Sequence, residues 1–259
     1  MADRAYDTIR WAQDGPLGVL TLNRPDARNG ITGFMMQELH ELLQAKGADP
    51  SVRVLVLRGE GRDFCPGADL KAYAAGQGGV TPLESFNVAV LLHEMPAVTI
   101  AAIRGACAGA GLGWAAACDL RIASDTARFN TAFLGVGLSG DMGGPWTLTR
   151  ILGAAKAREL YFLPEKFDAA EAQRIGLLTR LVPDDRFEAE VDAFAARLAA
   201  KAPLTLRTLK ENFVAAERMS FAEFVPFEAE RHSAMGQTRD AREARTAFLE
   251  KRPPVFEAR

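Results

Sequence analysis

Two runs of apolar residues, rich in β-branched side chains, dominate the first half of the chain. They read SVRVLVLRG at residues 51–59 and AVTIAAIRG at residues 97–105, and each ends in a glycine. An apolar run without the alternation of a half-exposed strand is typical of a strand covered on both faces, as in a parallel sheet. Because helix-like segments lie between the runs, the sequence predicts βαβ units and an α/β fold.

Shorter patterns predict the elements that precede this sheet. Residues 6–23 contain two β-rich stretches separated by an Asp-Gly pair, which is a strong hairpin signal. Thr32 is suited to cap a helix that Gly47 and Pro50 would end. The apolar positions of that helix recur every three or four residues: Met35, Met36, Leu39, Leu42 and Leu43.

The second half of the chain is mostly helical in its spacing. Ser220 and Glu223 form a capping box in front of an apolar stripe of Phe221, Phe224 and Val225. A last helix, with apolar positions that include Phe248, would be stopped by a Pro-Pro pair. With no internal repeat or linker-like tract, we expect one core over residues 1–200 and a C-terminal helical arm over residues 201–259 that does not fold independently.

Composition limits the classes of function. The 259 residues include 31 Lys and Arg against 33 Asp and Glu, so the formal net charge of -2 does not favour nucleic acid or an anionic membrane as a partner. The longest uncharged run, residues 105–118, is too short to span a membrane, and the N-terminus lacks a signal-peptide profile. Three cysteines favour a reducing compartment, and three separated histidines give no metal-ligand spacing. We therefore expect a cytoplasmic protein without a metal site.

Two glycine-rich turns are the first candidates for a functional site. Residues 58–71 read RGEGRDFCPGADLK and residues 104–113 read RGACAGAGLG, and each leads from a strand into a helix-like segment. Turns without bulky side chains expose backbone N–H groups at helix N-termini, which suits an anion or an oxyanion. The spacing of a nucleotide-phosphate loop is absent, and tight packing alone would explain a single such turn.

Four segments strongly resemble the enoyl-CoA hydratase/isomerase (crotonase) family, and in the right order they cover nearly the whole chain. They are LNRPDARNGIT at 22–32, FCPGADLK at 64–71, IRGACAGAGLGWAAACDLRIAS at 103–124 and AFLEKRPPVF at 247–256. The resemblance implies a crotonase-like spiral of ββα turns with a helical C-terminal region, assembled as a homotrimer or a dimer of trimers. It also implies an acyl-CoA thioester as substrate, so coenzyme A arrives as part of the substrate and no separate cofactor is expected.

Matching positions assign roles by the same resemblance. The backbone N–H groups of Ala68 and Ala110 become the oxyanion-hole donors to the thioester carbonyl, although the family usually has glycine at the second position. An alanine keeps the donor as long as its φ is negative. Arg24 and Lys71 become candidate coenzyme A contacts. Phe248 and Lys251, at the other end of the chain, are candidates for contact with the adenine end of a neighbouring subunit's ligand.

The chain departs from the family's hydratases where these carry two glutamates. Gly113 stands at the first of those positions and Phe133 at the second. Neither residue can orient water or transfer its proton, so simple hydration loses its usual chemistry. In a hydratase, another carboxylate such as Glu60 or Asp63 would have to substitute for them.

Asp141 is a carboxylate at a position where double-bond isomerases and dehalogenase-like members of the family carry an aspartate. Its place before a helix-like segment also fits a simple N-cap. If it faces the thioester, one carboxylate suffices to move a proton between two carbons, with Phe133 and Trp146 raising its pKa. Tyr73 and Phe86 are further candidates for the acyl pocket, whose ligand could be fatty, branched, terpenoid or aromatic.

Three alternatives remain beside this isomerase hypothesis. One is a hydratase that uses other carboxylates, and another is an acyl-CoA-binding protein without catalysis. In the third, Asp141 attacks an aryl carbon as in aroyl-CoA dehalogenases. Phe133 lacks the indole N–H that such enzymes use at the matching position. Asp69 and Asp119 are interpreted as a helix cap and a structural hydrogen-bond acceptor.

Overall fold

The computed structural model describes residues 6–258, and its strands form two sheets. The first sheet has the order β1-β2-β3-β4-β6-β9, and the second has the order β5-β7-β8. The strands are β1 Ile9–Asp14, β2 Leu17–Leu22, β3 Val54–Gly59, β4 Val98–Ile103, β5 Ala106–Ala108, β6 Leu120–Ser124, β7 Arg128–Asn130, β8 Phe167–Asp168 and β9 Arg180–Val182. The predicted N-terminal hairpin is confirmed, because β1 and β2 pair antiparallel across a turn at Gly15 with φ of +51°.

Eleven α-helices surround these sheets within the described residues. They are α1 Gly33–Gly47, α2 Leu70–Ala74, α3 Val88–Glu94, α4 Ala110–Ala117, α5 Gly144–Leu152, α6 Ala154–Phe162, α7 Ala169–Arg174, α8 Phe187–Ala199, α9 Pro203–Ala216, α10 Phe221–Gly236 and α11 Arg239–Glu250. Short 3₁₀ turns lie at Pro25–Ala27, Leu83–Asn87, Leu134–Val136 and Asp184–Arg186. The mixed α/β architecture with a helical C-terminal region is the predicted one.

The two apolar runs form the centre of the large sheet. Strand β3 pairs in parallel with both β2 and β4, and β4 also pairs in parallel with β6. Every residue of β4 is buried, as are the first four residues of β3. Burial on both faces explains why these strands lack polar alternation.

Two apolar clusters cover the two faces of this sheet. The larger contains the buried faces of α1, α3 and α4. The smaller packs β-strand residues such as Val56 and Ile100 against Phe187 and Val191 of α8. In α1 the Thr32 side chain accepts the hydrogen bond of the Met35 N–H, so the predicted cap is confirmed, and all five predicted apolar positions are buried.

The C-terminal arm is anchored to the core by an ion pair. Lys210 of α9 is almost fully buried and donates to Asp119 over 2.5 Å. The capping box of Ser220 and Glu223 forms as predicted at the start of α10. Among the described residues, the predicted apolar stripe behind it is largely exposed: Phe221 is 82% exposed, and no residue of α10 is buried. That the arm does not fold independently stays a prediction, as does the boundary at residue 200.

Two features are absent from residues 6–258. Within that range no helix is both long and apolar enough to cross a bilayer. The same residues contain no group of three or more His, Cys, Asp or Glu side chains placed to hold a metal ion.

Candidate active site

The two glycine-rich turns lie side by side. Cys65 and Cys107 form a parallel β-bridge in which the Cys65 N–H donates to Ala106 and the Cys65 carbonyl accepts from Ala108, each over 2.9 Å. Gly67 follows with φ of +98°, and a Cβ there would lie 3.2 Å from the Ala108 carbonyl oxygen. Glycine is needed at this position because the backbones of the two turns approach so closely.

Two backbone donors of these turns are free to bind a ligand. Among residues 6–258, the N–H groups of Ala68 and Ala110 have no hydrogen-bond acceptor. Ala110 is the first residue of α4, a helix buried along its whole length, and it is not among the residues with positive φ. The alanine therefore keeps its donor at the positive end of a helix dipole. The arrangement is suited to stabilise an oxyanion.

No carboxylate is present where hydration would need one. A Cβ added at Gly113 would lie 2.6 Å from the Cβ of Met142, so that position has no room for a side chain. Phe133 is 8% exposed, and its ring stacks on Tyr161 with centroids 6.3 Å apart. The space that two glutamates would occupy is filled by apolar groups.

Asp141 lies in the loop that leads to α5, and it is not the cap of that helix. The N-cap is Gly143, and no side chain makes a capping hydrogen bond there. The Asp141 Oδ1 atom is buried without a hydrogen-bond partner. Burial raises the pKa of Asp141 from its ordinary value of 3.8 to about 6. An unpaired carboxylate with a pKa near neutrality is typical of a group that transfers protons.

The aromatic neighbours of Asp141 differ in part from the prediction. Tyr161, on α6, packs against the loop that carries Asp141, because a Cβ built at Gly140 would lie 3.3 Å from its ring. Burial and, second to it, the Asp141 charge raise the pKa of Tyr161 to about 12. No sequence pattern pointed to this residue, since α6 reaches the site only through the tertiary fold. Phe133 was expected at this place and stacks on Tyr161.

Trp146 was also expected beside Asp141; its ring contacts other residues, and a role next to the carboxylate stays a prediction. Its ring meets His93 edge-on at 5.4 Å, and the guanidinium of Arg150 lies over it at 3.6 Å. It lines a separate cleft between α5, α9 and the end of α4, together with Phe213 and Glu217. The sequence predicted a helix here but did not say which neighbour each of its side chains would meet.

Two further pocket candidates follow the first turn. Tyr73 is on α2, and its hydroxyl lies 3.0 Å from that of Thr81. Phe86 belongs to the 3₁₀ turn before α3, and both aromatic rings are partly exposed. Their role in acyl binding stays a prediction.

The candidate coenzyme A contacts are spread over three elements. Arg24 is half-buried and paired with Asp69 over 2.9 Å, while Lys71 is exposed on α2. Phe248 is 82% exposed near the end of α11, and Lys251 follows with φ of +53°. The structure brings Arg24 and Lys71 close to the first turn through Asp69, which caps α2 as predicted. All four assignments stay predictions.

The other carboxylates near the turns are already paired. Glu60 forms a surface ion pair with Arg10. Asp63 is buried, accepts from the Ala106 N–H and pairs with Arg28 over 2.7 Å. Burial opposes ionisation of this carboxyl, but these partners outweigh it and lower its pKa. Neither group is available to replace the missing glutamates.

The remaining candidates for chemistry in the turns also have structural roles. Asp119 accepts from the N–H and the hydroxyl of Thr99, as a structural acceptor would. Burial raises the pKa of the Cys65 thiol to about 12 and places that of Cys107 well above its ordinary value. Thiol chemistry at these turns is therefore disfavoured.

Comparisons with known proteins show which proteins this chain is similar to. The sequence profile described as Enoyl-CoA hydratase/isomerase matches residues 13–259. A probable enoyl-CoA hydratase of Rhodobacter capsulatus is 39% identical over 98% of this chain and 100% of its own length. The 1,2-epoxyphenylacetyl-CoA isomerase of Escherichia coli is 33% identical over 92% of this chain and 93% of its own.

A solved structure shows the same fold. The crystal structure of a putative enoyl-CoA hydratase from Streptomyces coelicolor superposes with a TM-score of 0.93 at 33% identity, covering 100% of this chain and 97% of the other. Profile, relatives and structure each extend over almost all of the described residues. The chain belongs to the enoyl-CoA hydratase/isomerase family.

Proposed function

We propose that the protein moves a carbon–carbon double bond within an enoyl-CoA thioester, using Asp141 as the only proton carrier. The observation that carries this proposal is the buried, unpartnered Oδ1 of Asp141 in a site that lacks both hydratase carboxylates. A single carboxylate can remove a proton from one carbon and return it to another. It cannot by itself orient water, deprotonate it and supply a proton to a second carbon.

The backbone donors hold the thioester during this reaction. The thioester oxygen accepts hydrogen bonds from the N–H groups of Ala68 and Ala110, which lack acceptors among residues 6–258. Negative charge that forms on that oxygen is stabilised there by fixed dipoles. One such donor typically contributes about 3 kcal/mol to transition-state stabilisation.

The proton then moves in two steps through one side chain. In a 3-enoyl-CoA, ionised Asp141 removes a proton from C2, and the electron pair spreads over the oxygen, C2 and C4 as a dienolate. Protonated Asp141 returns the proton to C4, which leaves the 2-enoyl thioester and the original carboxylate. With a pKa of about 6, Asp141 is mostly ionised at neutral pH yet still basic enough to hold a proton briefly.

The apolar surroundings support transfer without hydration. Met142 fills the space beside Gly113, and the Phe133 ring occupies the second glutamate position. A dienolate in this setting meets few groups that would bind water. The same surroundings disfavour the hydratase alternative and strengthen the basicity of the carboxylate.

The assembly and the coenzyme contacts form part of the same proposal. Arg24 and Lys71 flank the first turn and supply positive charge for the coenzyme A portion of the substrate. Exposed apolar side chains on α10 and α11, including Phe221 and Phe248, favour burial against further copies of the chain in a homotrimer or a dimer of trimers. In such an assembly Phe248 and Lys251 contact a neighbour's ligand. A cytoplasmic location fits the three buried free cysteines.

The test is a panel of 2-enoyl- and 3-enoyl-CoA esters incubated in deuterated water, with products separated by chromatography and weighed by mass spectrometry. We expect a 3-enoyl ester to become a 2-enoyl ester without gaining water. Asp141→Ala should stop the reaction, whereas Asp192→Asn, at an exposed position on α8, should leave it unchanged.

Two other outcomes would contradict the proposal. A product heavier by one water, formed equally well by the Asp141→Ala variant, would mean that other residues carry out hydration. Tight binding of the esters with no product in any arm would favour a binding protein without catalysis.

A further inference from the structure

We infer that Tyr161 is a positioning residue that holds the loop carrying Asp141 in its reactive conformation. The inference deepens the proposed function and rests on it, because it concerns the same carboxylate. It begins from contacts on both sides of Asp141 in the chain.

The Tyr161 ring occupies the side-chain space of two glycines. A Cβ built at Gly140 would lie 3.3 Å from the Tyr161 Cε1 atom, and a Cβ at Gly144 would overlap the Tyr161 hydroxyl oxygen. One glycine lies just before Asp141 and the other three residues after it. The loop therefore presses its bare backbone against a single aromatic side chain from α6.

A second aromatic ring packs against that of Tyr161. Phe133 and Tyr161 stack with an interplanar angle of 2°, and the Gly140 Cβ position lies 3.9 Å from the Phe133 ring. The two aromatic rings form a wall beside the loop. Such a wall limits the access of water to the Asp141 carboxylate. With water excluded, the buried Oδ1 atom stays without a hydrogen-bond partner.

The loop needs such support because part of its backbone is strained. Met142 has φ of +51°, a left-handed conformation that is unfavourable for a residue with a Cβ, and Gly143 follows with φ of +67°. On its inner side the Met142 side chain fills the place that Gly113 leaves empty. The loop is thus held between α4 on one side and Tyr161 on the other.

The Tyr161 hydroxyl acts here by its volume. It makes no hydrogen bond to any of residues 6–258, so removing it leaves no protein group unpaired. After Tyr161→Phe the atom closest to a Cβ at Gly144 would be Cζ at 3.3 Å, a tight but tolerable contact. This predicts an unusual pair of substitutions in which the second repairs the first.

The main test is a double-mutant cycle on Gly144 and Tyr161. Alanine has a higher helix propensity than glycine, so Gly144→Ala should not weaken the start of α5. Any loss of activity that it causes therefore reports the contact between the new methyl group and the Tyr161 hydroxyl. We expect Gly144→Ala to lower kcat about 100-fold with little change in KM, because small misplacement of a reacting group has effects of that size. Gly144→Ala with Tyr161→Phe should recover at least about tenfold.

The matched control is Gly135→Ala. Gly135 lies in the 3₁₀ turn before the loop, does not have positive φ, and a methyl group added there would meet no atom within 4 Å. The Gly135→Ala variant should keep the parent's kcat and KM. A double variant no better than Gly144→Ala alone would overturn the inference.

A second readout does not depend on activity. Each Tyr161 variant is compared with the same variant that also carries Asp141→Asn. The difference between their unfolding temperatures is measured as a function of pH. The pH dependence of that difference reports how well Asp141 is shielded from water. We expect Tyr161→Phe to preserve the pH-dependent difference. Tyr161→Leu should reduce it to less than about half, since water then reaches the carboxylate.

The activity and unfolding experiments distinguish a failure of this inference from a failure of the proposed function. If Asp141→Asn kept full activity, the proposed function would fail, while the unfolding experiment would still test whether Tyr161 controls the surroundings of Asp141. If Tyr161→Leu left the pH-dependent difference unchanged, the inference would be wrong even for an active isomerase.

Discussion

Replacing Asp141 by asparagine should make the protein more stable at neutral pH while removing its activity. The substitution keeps the shape of the side chain and removes its charge. In the folded protein the carboxylate is partly buried, and its buried Oδ1 atom has no hydrogen-bond partner. Ionisation therefore costs free energy in the folded state that it does not cost in the unfolded chain.

The magnitude follows from the shift in the pKa of Asp141. A rise from 3.8 to about 6 corresponds to about 3 kcal/mol, at about 1.4 kcal/mol per pKa unit. Because the side chain is only partly buried, solvent screening reduces the expected effect to about 1–2 kcal/mol. Between these two pKa values the folded state binds more protons than the unfolded state, so stability falls as pH rises. The penalty is absent below about pH 4 and complete above about pH 6.

The assay is urea or thermal unfolding of the parent and Asp141→Asn across this pH range. The variant should gain stability over the parent as pH rises, with no difference in acid. Asp63→Asn is the matched control, because its buried carboxylate has partners that lower its pKa. That variant should instead lose about 1–3 kcal/mol at neutral pH, an effect that fades as pH falls below the ordinary carboxyl range. A loss of stability in Asp141→Asn at neutral pH would refute the reasoning.

Four more outcomes are expected. Isomerase kcat should rise with pH and level off above about pH 6, as the site carboxylate ionises; a profile flat down to about pH 4 would contradict this. Gly113→Glu should not create a hydratase and should lower the free energy of unfolding by at least about 2 kcal/mol, because its Cβ would lie 2.6 Å from that of Met142; urea unfolding checks it. Lys210→Met, which leaves Asp119 without its ammonium partner, should cost about 2 kcal/mol and speed proteolysis of the C-terminal arm. Ala110→Pro removes one N–H at a helix position that tolerates proline, so kcat should fall about 100-fold with the fold intact by circular dichroism.

Local patterns predicted those parts of the fold that local physics determines. The hairpin follows from an Asp-Gly turn, and the cap of α1 follows from Thr32 and the apolar spacing behind it. Strands β3 and β4 were recognisable because burial on both faces removes polar residues from a strand. Glycine-rich sequence located the two turns that meet at the Cys65–Cys107 bridge, and the family resemblance then assigned roles to their backbone N–H groups.

Contacts between distant elements could not be predicted in the same way. Trp146 lies on a segment whose spacing predicted a helix. Its ring contacts His93 of α3 and Arg150 one turn further along α5, which that spacing did not indicate. Tyr161 reaches the site because α5 and α6 pack together, and nothing in the sequence of α6 distinguishes it from a core residue. Spacing within one helix determines which side chains share a face, but the neighbour of that face is decided by the rest of the chain.

The absence of a glutamate at Gly113 and the position of Asp141 are linked through the loop that precedes α5. Asp141 and Met142 are adjacent, and the left-handed backbone at Met142 directs its side chain into the space next to Gly113. A glutamate at Gly113 would have to displace Met142, and moving Met142 would move Asp141. The conformation that places the aspartate therefore excludes the first hydratase glutamate on steric grounds. Converting this site to hydration would require rebuilding the loop as well as restoring both carboxylates. A single substitution by glutamate, at Gly113 or at Phe133, should therefore give a protein with neither hydratase nor isomerase activity.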